Sequence, residues 1–485
     1  AAQLIDMSQH TGEHPRMGAT DVCPLIPIAN ISMQETVVYA QKLAARVASE
    51  LDIPVYLYEA AASTSERKNL ATIRSGEYEA LPEKLQHKDW KPDYGKAEYT
   101  ETAKKSGATV IGARDFLVAY NINLNTTSTR RANAVAFDVR EAGRTVKDAK
   151  GKEVKQPGTL KAVKAIGWYI PEYGIAQISM NLTNIQITPI HIAFDEVCRS
   201  AASRGMRVTG SELVGLVPLK AMLDAGRYFL RKQKRSLGVS DAELIKIAVK
   251  SLGLDDLTPF EPKKKIIEYV MEQQSNTPLL DMTLKDFVEE VASESPAPGG
   301  GSIAAYVGAL GVALGTMVAN LSSHKRGWDD RWEEFAGWAA RGQRLTDELL
   351  RLMDEDTHAF NKVMAALGMP KGTAEEKAAR KAALDQANQG AIAVPFRVMQ
   401  VASESFDLLD AMARSGNPAS VSDAGVGVLC VRAAIRGAWL NVRINLSGLA
   451  DRGSATAMVK EGEQMIARAE AREGAILALV DQKIG

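Results

Sequence analysis

VCPLIPIANISMQETVVYAQKLAARVASELDIPVYLYE, residues 22–59, is the stretch on which the fold turns. Val22–Ile28 is a short apolar run that reads as a strand. Ser32 with Glu35 three residues on forms a capping box at a helix start. Behind it Val37, Ala40, Leu43, Ala44, Val47 and Leu51 recur at spacings of 3 and 4, one apolar helical face. Ile53–Glu59 is the next strand, which completes a β–α–β unit. Working outward, Asp115–Leu124, Ala165–Ile170, Ala176–Leu182 and Asn184–Ile190 read as further strands. His191–Ser203, Pro218–Gln233 and Asp241–Leu252 read as helices. The expectation is a multidomain chain that begins with an α/β region in two lobes, residues 1–116 and 117–271. A polar linker, EQQSNTPL, follows at 272–279. Beyond it strand signals cease. Thr283 and Asp286 cap a helix whose face is Leu284, Phe287, Val288 and Val291. The region 280–485 reads as an all-α helical bundle.

The 485 residues contain 59 Lys+Arg and 59 Asp+Glu. Zero formal net charge argues against nucleic acid as a partner, since no excess of cations is available to displace counterions. Cys23, Cys198 and Cys430 fit no CxxC spacing, and a reducing, cytoplasmic compartment is the simplest home. The opening AAQLIDMSQ has no charged-then-apolar leader; Ala1, Ala2, Leu4 and Ile5 read like the last turns of a helix whose beginning is absent. Residues 295–323 carry no Asp, Glu, Lys or Arg, and the helical part is long enough to span a bilayer. Its Ala and Gly content, the polar end at Thr316, Asn320, Ser322 and Ser323, and the lack of any second such segment argue for a buried bundle helix instead. Gly308, Gly311 and Gly315 suggest that neighbouring helices approach it closely.

Four patterns could carry chemistry. The loop GEHPRMGATDVCPLIPI (12–28) gathers Glu13, His14, Arg16 and Asp21 beside a strand, a common place for an α/β site. His10 and His14 match the H-x-x-E-H zinc pattern, but Gly12 and Pro15 break the helix that the pattern needs, so no metal is expected. PAPGGGS (296–302) can present backbone N–H groups to an anion at a helix start, although it lacks the P-loop lysine. In RLTDELLRLMDEDTHAFNKVMAALG (344–368), Leu345, Leu349, Leu352, Phe360, Val363 and Leu367 form one face, and Asp356 occupies the missing position. Asp354 and Glu355 then point elsewhere, and His358 lies off the face and exposed. A carboxylate on an apolar stripe is either a pKa-shifted acid–base group or a structural partner of a cation such as Arg443. The basic runs Arg231–Arg235 and Lys263–Lys265 read as solvated faces, with an anionic ligand tail as a secondary role.

These residues resemble a known family. GEHPRMGATDVCPLIPI, PVYLYEAAA (54–62), IRSGEYEAL (73–81), DWKPDYG (89–95), SGATVIGAR (106–114), FLVAYNINL (116–124), AIGWYI (165–170), GSELVGLVPLKAML (210–223) and PFEPKKKIIEY (259–269) look like glutamate formiminotransferase. APGGGSIAA (297–305), LMDEDTHAF (352–360) and LNVRINL (440–446) look like formiminotetrahydrofolate cyclodeaminase. Their order is that of the fused formiminotransferase-cyclodeaminases of histidine degradation. The resemblance implies transfer of a formimino group from formimino-L-glutamate to tetrahydrofolate. It implies next the cyclisation of 5-formiminotetrahydrofolate to 5,10-methenyltetrahydrofolate with release of ammonia. It implies His14 as the transferase catalytic residue, supported by Glu13, Arg16 and Asp21, and Asp356 as the cyclodeaminase catalytic residue. For folate it implies Asp93, Tyr94, Gly95, Lys96, Lys104, Lys105 and Gly107, then Pro298, Gly299, Gly300, Gly301 and Ser302. Polyglutamylated tetrahydrofolate is the implied co-substrate, with no metal, and a homo-oligomeric ring of dimers the implied assembly. The family carries about two further β–α units before the first motif here, roughly 60 residues, which leaves transferase competence of this stretch as an open expectation. Alternatives are cyclodeaminase or methenyltetrahydrofolate cyclohydrolase activity alone, and a non-catalytic folate-binding or cytoskeletal scaffold.

Overall fold

The computed structural model describes all residues except 2, 12–14, 29, 273–278 and 447–451. The described chain divides into two compact units, Ala1–Val208 and Thr209–Gly485.

In the first unit, β1 (Val22–Leu25), α1 (Met33–Leu51) and β2 (Val55–Glu59) form as the sequence predicts. The Ser32–Glu35 capping box is present in both directions. The two strands do not pair with each other, however. β3 (Thr109–Ala113) lies between them, parallel to both. It is buried along its whole length, and a short run buried on both faces has no alternation to announce it. β2 shows the period of 2 plainly. Tyr56 and Tyr58 pack with Met7, Met17, Ile73 and Leu81 on one face, and Val55 and Leu57 with Ala40, Ala44 and Ala48 of α1 on the other. The buried stripe of α1 is Thr36, Ala40, Ala44 and Ala48, while Leu51 of the expected face is half exposed. Small residues inside let the helix lie close to the sheet.

The second part of this unit has β4 (Val118–Leu124), α2 (Thr129–Val139), β5 (Val163–Ile170), β6 (Ile175–Leu182) and α3 (Ile190–Ser203). β6 pairs antiparallel with both β4 and β5. Asn184–Ile190, expected as a strand, is a turn. The Asn184 side chain accepts from the backbone N–H of Gln186 and Ile187 at 2.9 and 3.2 Å, a local bond that competes with sheet pairing. A hairpin of Arg144–Lys147 with Glu153–Gln156 escaped the sequence reading; its residues are mostly exposed and carry no apolar pattern.

The second unit contains α4 (Leu219–Lys232) and α5 (Asp241–Leu252), then the helices α6 (Leu284–Val291), α7 (Gly300–Ser323), α8 (Trp332–Leu367), α9 (Ala374–Glu404), α10 (Phe406–Ser415), α11 (Val421–Leu446) and α12 (Arg452–Ile484). One hydrophobic core runs through α7 to α12. The expectation of a single segment long and apolar enough to cross a membrane is corrected: Gly300–Ser323 and Pro418–Leu446 both qualify by length and composition. In this fold they pack on each other, with 61% and 50% of their most apolar windows buried. The contact is tight. A Cβ on Gly311 would lie 2.7 Å from the Gly427 carbonyl oxygen and 2.8 Å from the Cys430 Cβ. A Cβ on Gly308 would lie 3.2 Å from the Ala434 Cβ. Gly311→Ala is therefore expected to destabilise the chain by about 1–2 kcal/mol, overpacking outweighing the better helix propensity of alanine. Chemical denaturation checks this, and an unchanged midpoint would show that the two helices separate freely.

Candidate functional site

Asp356 sits on α8, where Leu345, Leu349 and Leu352 are buried as expected. Past Asp356 the stripe shifts. Ala359 and Ala366 are the buried positions, whereas Phe360 and Val363 are half-buried and Leu367 is 47% exposed. The half-buried Asp356 carboxylate lies against the first turn of α7. Ser302 Oγ donates to its Oδ2 at 3.0 Å, and Ser302 Oγ lies 3.1 Å from Thr357 Oγ1. A Cβ on Gly301 would fall 2.2 Å from Asp356 Oδ1, so this approach requires glycine. The PAPGGGS loop thus does serve an anion at a helix N-terminus, and that anion is the protein's own carboxylate. Burial pushes the Asp356 pKa up, and the hydrogen bonds from the Ser302 side chain and backbone pull it only partly back. No cation pairs with Asp356 among the described residues. Arg443, the structural partner considered from sequence, is exposed. Asn441 of α11 stands beside the loop, its amide nitrogen 3.1 Å from where a Gly300 Cβ would be.

Two expectations for the neighbours of Asp356 are corrected. Asp354 does not point away from the core. It is 4% exposed, accepts from the Leu279 N–H at 3.2 Å, and its pKa is raised chiefly by burial. The sequence reading assumed a straight stripe on the bundle side alone and missed the segment around Leu279 that covers the adjoining face. His358 is half-buried and lines a groove of about 770 Å³ between α8 and α9, with Glu355, Lys362, Gln386 and an alanine-rich wall. That volume lies within the range of small-molecule sites.

In the first unit, His14, Glu13 and Gly12 lie outside the described residues. The loop that follows them is well anchored. Arg16 reaches Glu77 at 3.1 Å, Glu79 at 2.8 Å and the His10 carbonyl at 2.7 Å. Asp21 accepts from the Met17 N–H at 2.7 Å and pairs with Arg74. Arg74 was not singled out from sequence; the fold brings it 53 residues along the chain to Asp21. Pro15, Arg74, Glu77 and Lys164 line a cleft.

The stretch from Asp93 to Gly107 divides in its roles. Asp93 is committed inside the fold: Arg67 pairs with it at 2.8 Å, and its Oδ2 accepts from the Leu57 N–H at 2.7 Å. The buried Arg67 also lies over the rings of Tyr56 and Trp90 at 5.3 and 5.9 Å. Tyr94 is tied through its backbone to Val55, and Gly95 takes a φ of +88° as the chain turns away. Lys96 pairs with Asp52 at 3.1 Å on the surface. Lys104 and Lys105 are exposed on the short helix Glu101–Ser106, and Gly107, with φ +70°, closes that helix against Met17.

Set beside known proteins, the chain matches three family profiles in succession. Residues 1–114 match the formiminotransferase N-terminal subdomain, 119–272 the formiminotransferase domain and 283–464 formiminotransferase-cyclodeaminase. The formimidoyltransferase-cyclodeaminase of Gallus gallus is 42% identical over the whole chain and 87% of its own length. The chain belongs to the formimidoyltransferase-cyclodeaminase family. Single-activity relatives match its parts. Glutamate formimidoyltransferase of Streptococcus pyogenes is 42% identical over 48% of this chain and 72% of its own length. Methenyltetrahydrofolate cyclohydrolase of Methylorubrum extorquens is 39% identical over 42% of this chain and 97% of its own length. The family's order of a two-part α/β region and a helical domain is the order found here.

The raised pKa of Asp356 fixes the sign of a stability test. A carboxyl with a folded-state pKa above its unfolded value resists ionisation when folded. Below about pH 4 both states are protonated and the cost vanishes; as pH rises through the folded pKa the cost becomes complete. Asp356→Asn is therefore expected to melt above the parent at about pH 7 and to lose that advantage on acidification. A variant less stable than the parent at neutral pH would show that the Ser302 contacts outweigh burial.

Proposed function

We propose that the chain is a bifunctional folate enzyme. Its first reaction transfers the formimino group of formimino-L-glutamate to N5 of tetrahydrofolate. Its second closes the product to 5,10-methenyltetrahydrofolate and expels ammonia. The observation that carries the second activity is the Asp356 carboxylate, partly desolvated and held by Ser302 on the glycine-started helix α7. In cyclisation, N10 attacks the formimino carbon, one C–N bond forms, and the amino nitrogen leaves as ammonia. Asp356 suits both proton transfers: its acid form protonates the leaving nitrogen and its carboxylate accepts the N10 proton. The upward push on its pKa keeps the acid form accessible closer to neutral pH.

In transfer, N5 attacks the amidine carbon and the glutamate nitrogen departs as an amine. His14 is assigned the proton taken from N5 and returned to that amine, with Glu13, Arg16 and Asp21 supporting the loop. For folate, the surface lysines Lys96, Lys104 and Lys105 suit the anionic glutamate tail. Asp93, Tyr94, Gly95 and Gly107 shape the segment that bears them, and Pro298–Ser302 contacts folate at the second site. Neither step calls for a redox cofactor or metal, since the amidine carbon is already electrophilic. We also assign the chain to the cytoplasm, in keeping with three cysteines that lie far apart in the sequence and fit no CxxC spacing. A homo-oligomer, as a ring of dimers, accords with Leu284, Val288, Leu440 and Ile444 standing 59–72% exposed on the helical region.

The cyclohydrolase relative of the second half favours one alternative, in which methenyltetrahydrofolate is hydrolysed rather than formed. The assay that separates them follows methenyl absorbance and ammonia. His14→Ala is expected to lose product from formimino-L-glutamate plus tetrahydrofolate while keeping turnover of preformed 5-formiminotetrahydrofolate. Asp356→Asn is expected to keep transfer and lose cyclisation by at least ~10²-fold. Ammonia-free consumption of methenyltetrahydrofolate by the parent would favour the cyclohydrolase instead. Native mass spectrometry checks the assembly: a monomer at micromolar concentration would contradict the ring.

A further inference from the structure

We infer that the cleft lined by Pro15, Arg74, Glu77 and Lys164 is the binding site for the formimino-glutamate donor, with Arg74 and Lys164 on its two carboxylates and Glu77 on its amidinium. The inference deepens the transferase reading and rests on it.

Size comes first. The cleft holds about 290 Å³, at the small end of ligand cavities, which run from about 300 to 1,000 Å³. It has room for an amino-acid derivative and not for a whole folate. Charge comes second. The donor carries two carboxylates and one protonated amidine, and the cleft presents two cations and one carboxylate. Each of these side chains has a distinct setting. Arg74 is braced by Asp21, which orients the guanidinium, and its buried Nε finds no hydrogen-bond partner among the described residues. A buried N–H without an acceptor is costly unless a ligand supplies one. Glu77 is held from behind by Arg16 at 3.1 Å, so its charge is partly balanced and does not repel the donor's carboxylates outright. Lys164 is exposed on β5, where buried and exposed residues alternate. Its ammonium also draws down the Glu59 carboxyl at the end of β2, against the upward push of burial, and it lines the cleft together with Pro15 and Arg74. Arginine's planar fork suits a carboxylate on a rigid centre, and the long lysine suits the one at the end of a flexible chain. Pro15, at the edge of the cleft, follows directly in sequence on His14, the residue assigned to proton transfer.

The test uses the full-length chain and initial-rate kinetics with N-formimino-L-glutamate and tetrahydrofolate. Lys164→Gln and Arg74→Gln are each expected to raise KM for the donor by about 10- to 100-fold and to leave KM for folate within about twofold. Turnover of preformed 5-formiminotetrahydrofolate at the parent rate shows that the second unit is intact, and the unchanged folate KM of the transfer reaction shows that the first unit, which carries the substitutions, is folded. Glutarate, a dicarboxylate without an amidine, separates the roles further. Its binding, read by calorimetry, is expected to weaken in Lys164→Gln and Arg74→Gln and to persist or tighten in Glu77→Gln, which should still lose the donor. An unchanged donor KM in both cation variants, or an equal rise in folate KM, overturns the inference. If the parent transfers no formimino group, the transferase reading fails. Glutarate binding then still reports on the cleft, and equal affinity in the parent and Lys164→Gln overturns the inference.

Discussion

The helical region depends on how closely α7 can be approached. Three glycines let α11 and α10 press against it, and the constraint is steric: at Gly311 a methyl group would meet backbone, which cannot swing aside. The same allowance operates at the first turn, where Gly301 leaves room for the Asp356 carboxylate. Core packing and the chemical site are thus two uses of one property, the lack of side chains along a helix. Two long apolar helices can therefore serve as the centre of a bundle, each hiding the other's surface.

Asp356 shows how such a site is tuned. Burial favours its neutral form, while the Ser302 hydroxyl and backbone favour its ionised form. Among the described residues the carboxylate has no salt-bridge partner, which would lock it ionised, and it is not fully enclosed, which would lock it neutral. Asp354 shows the contrasting outcome two residues away. It is more deeply buried and bound to a backbone N–H, and it anchors the segment at Leu279. Asp93 belongs with it: an acidic residue in a segment associated with ligand binding, yet engaged by Arg67 and by the backbone of β2. Carboxylates that hold the chain together and carboxylates that remain available differ in their partners, not in their type.

Much of the architecture was legible in the residues. The capping box at Ser32, the α1 periodicity and the loss of strand signals after residue 272 depend on neighbours along the chain, and local spacing reports them. β3 was not legible, because its residues are buried on both faces and its partners lie more than 50 positions away. The turn at Asn184 was misread as strand because its alternation is real while its side-chain bonds win locally. In the candidate sites, the stripe on α8 points to Asp356 and directs Asp354 elsewhere, because periodicity describes one packing face and knows nothing of a second segment laid over another.

By itself, then, the sequence determined the order of α/β and helical regions, the family motifs and the single acidic position on the α8 stripe. These are properties of spacing and residue type. Only the tertiary structure decided that the glycine loop meets Asp356, that Arg74 braces Asp21, that Asp93 is committed to Arg67, and that Lys164 shares a cleft with Pro15 and Arg74. Each joins residues tens of positions apart, and their proximity is set by sheet order and helix packing, to which no local pattern responds.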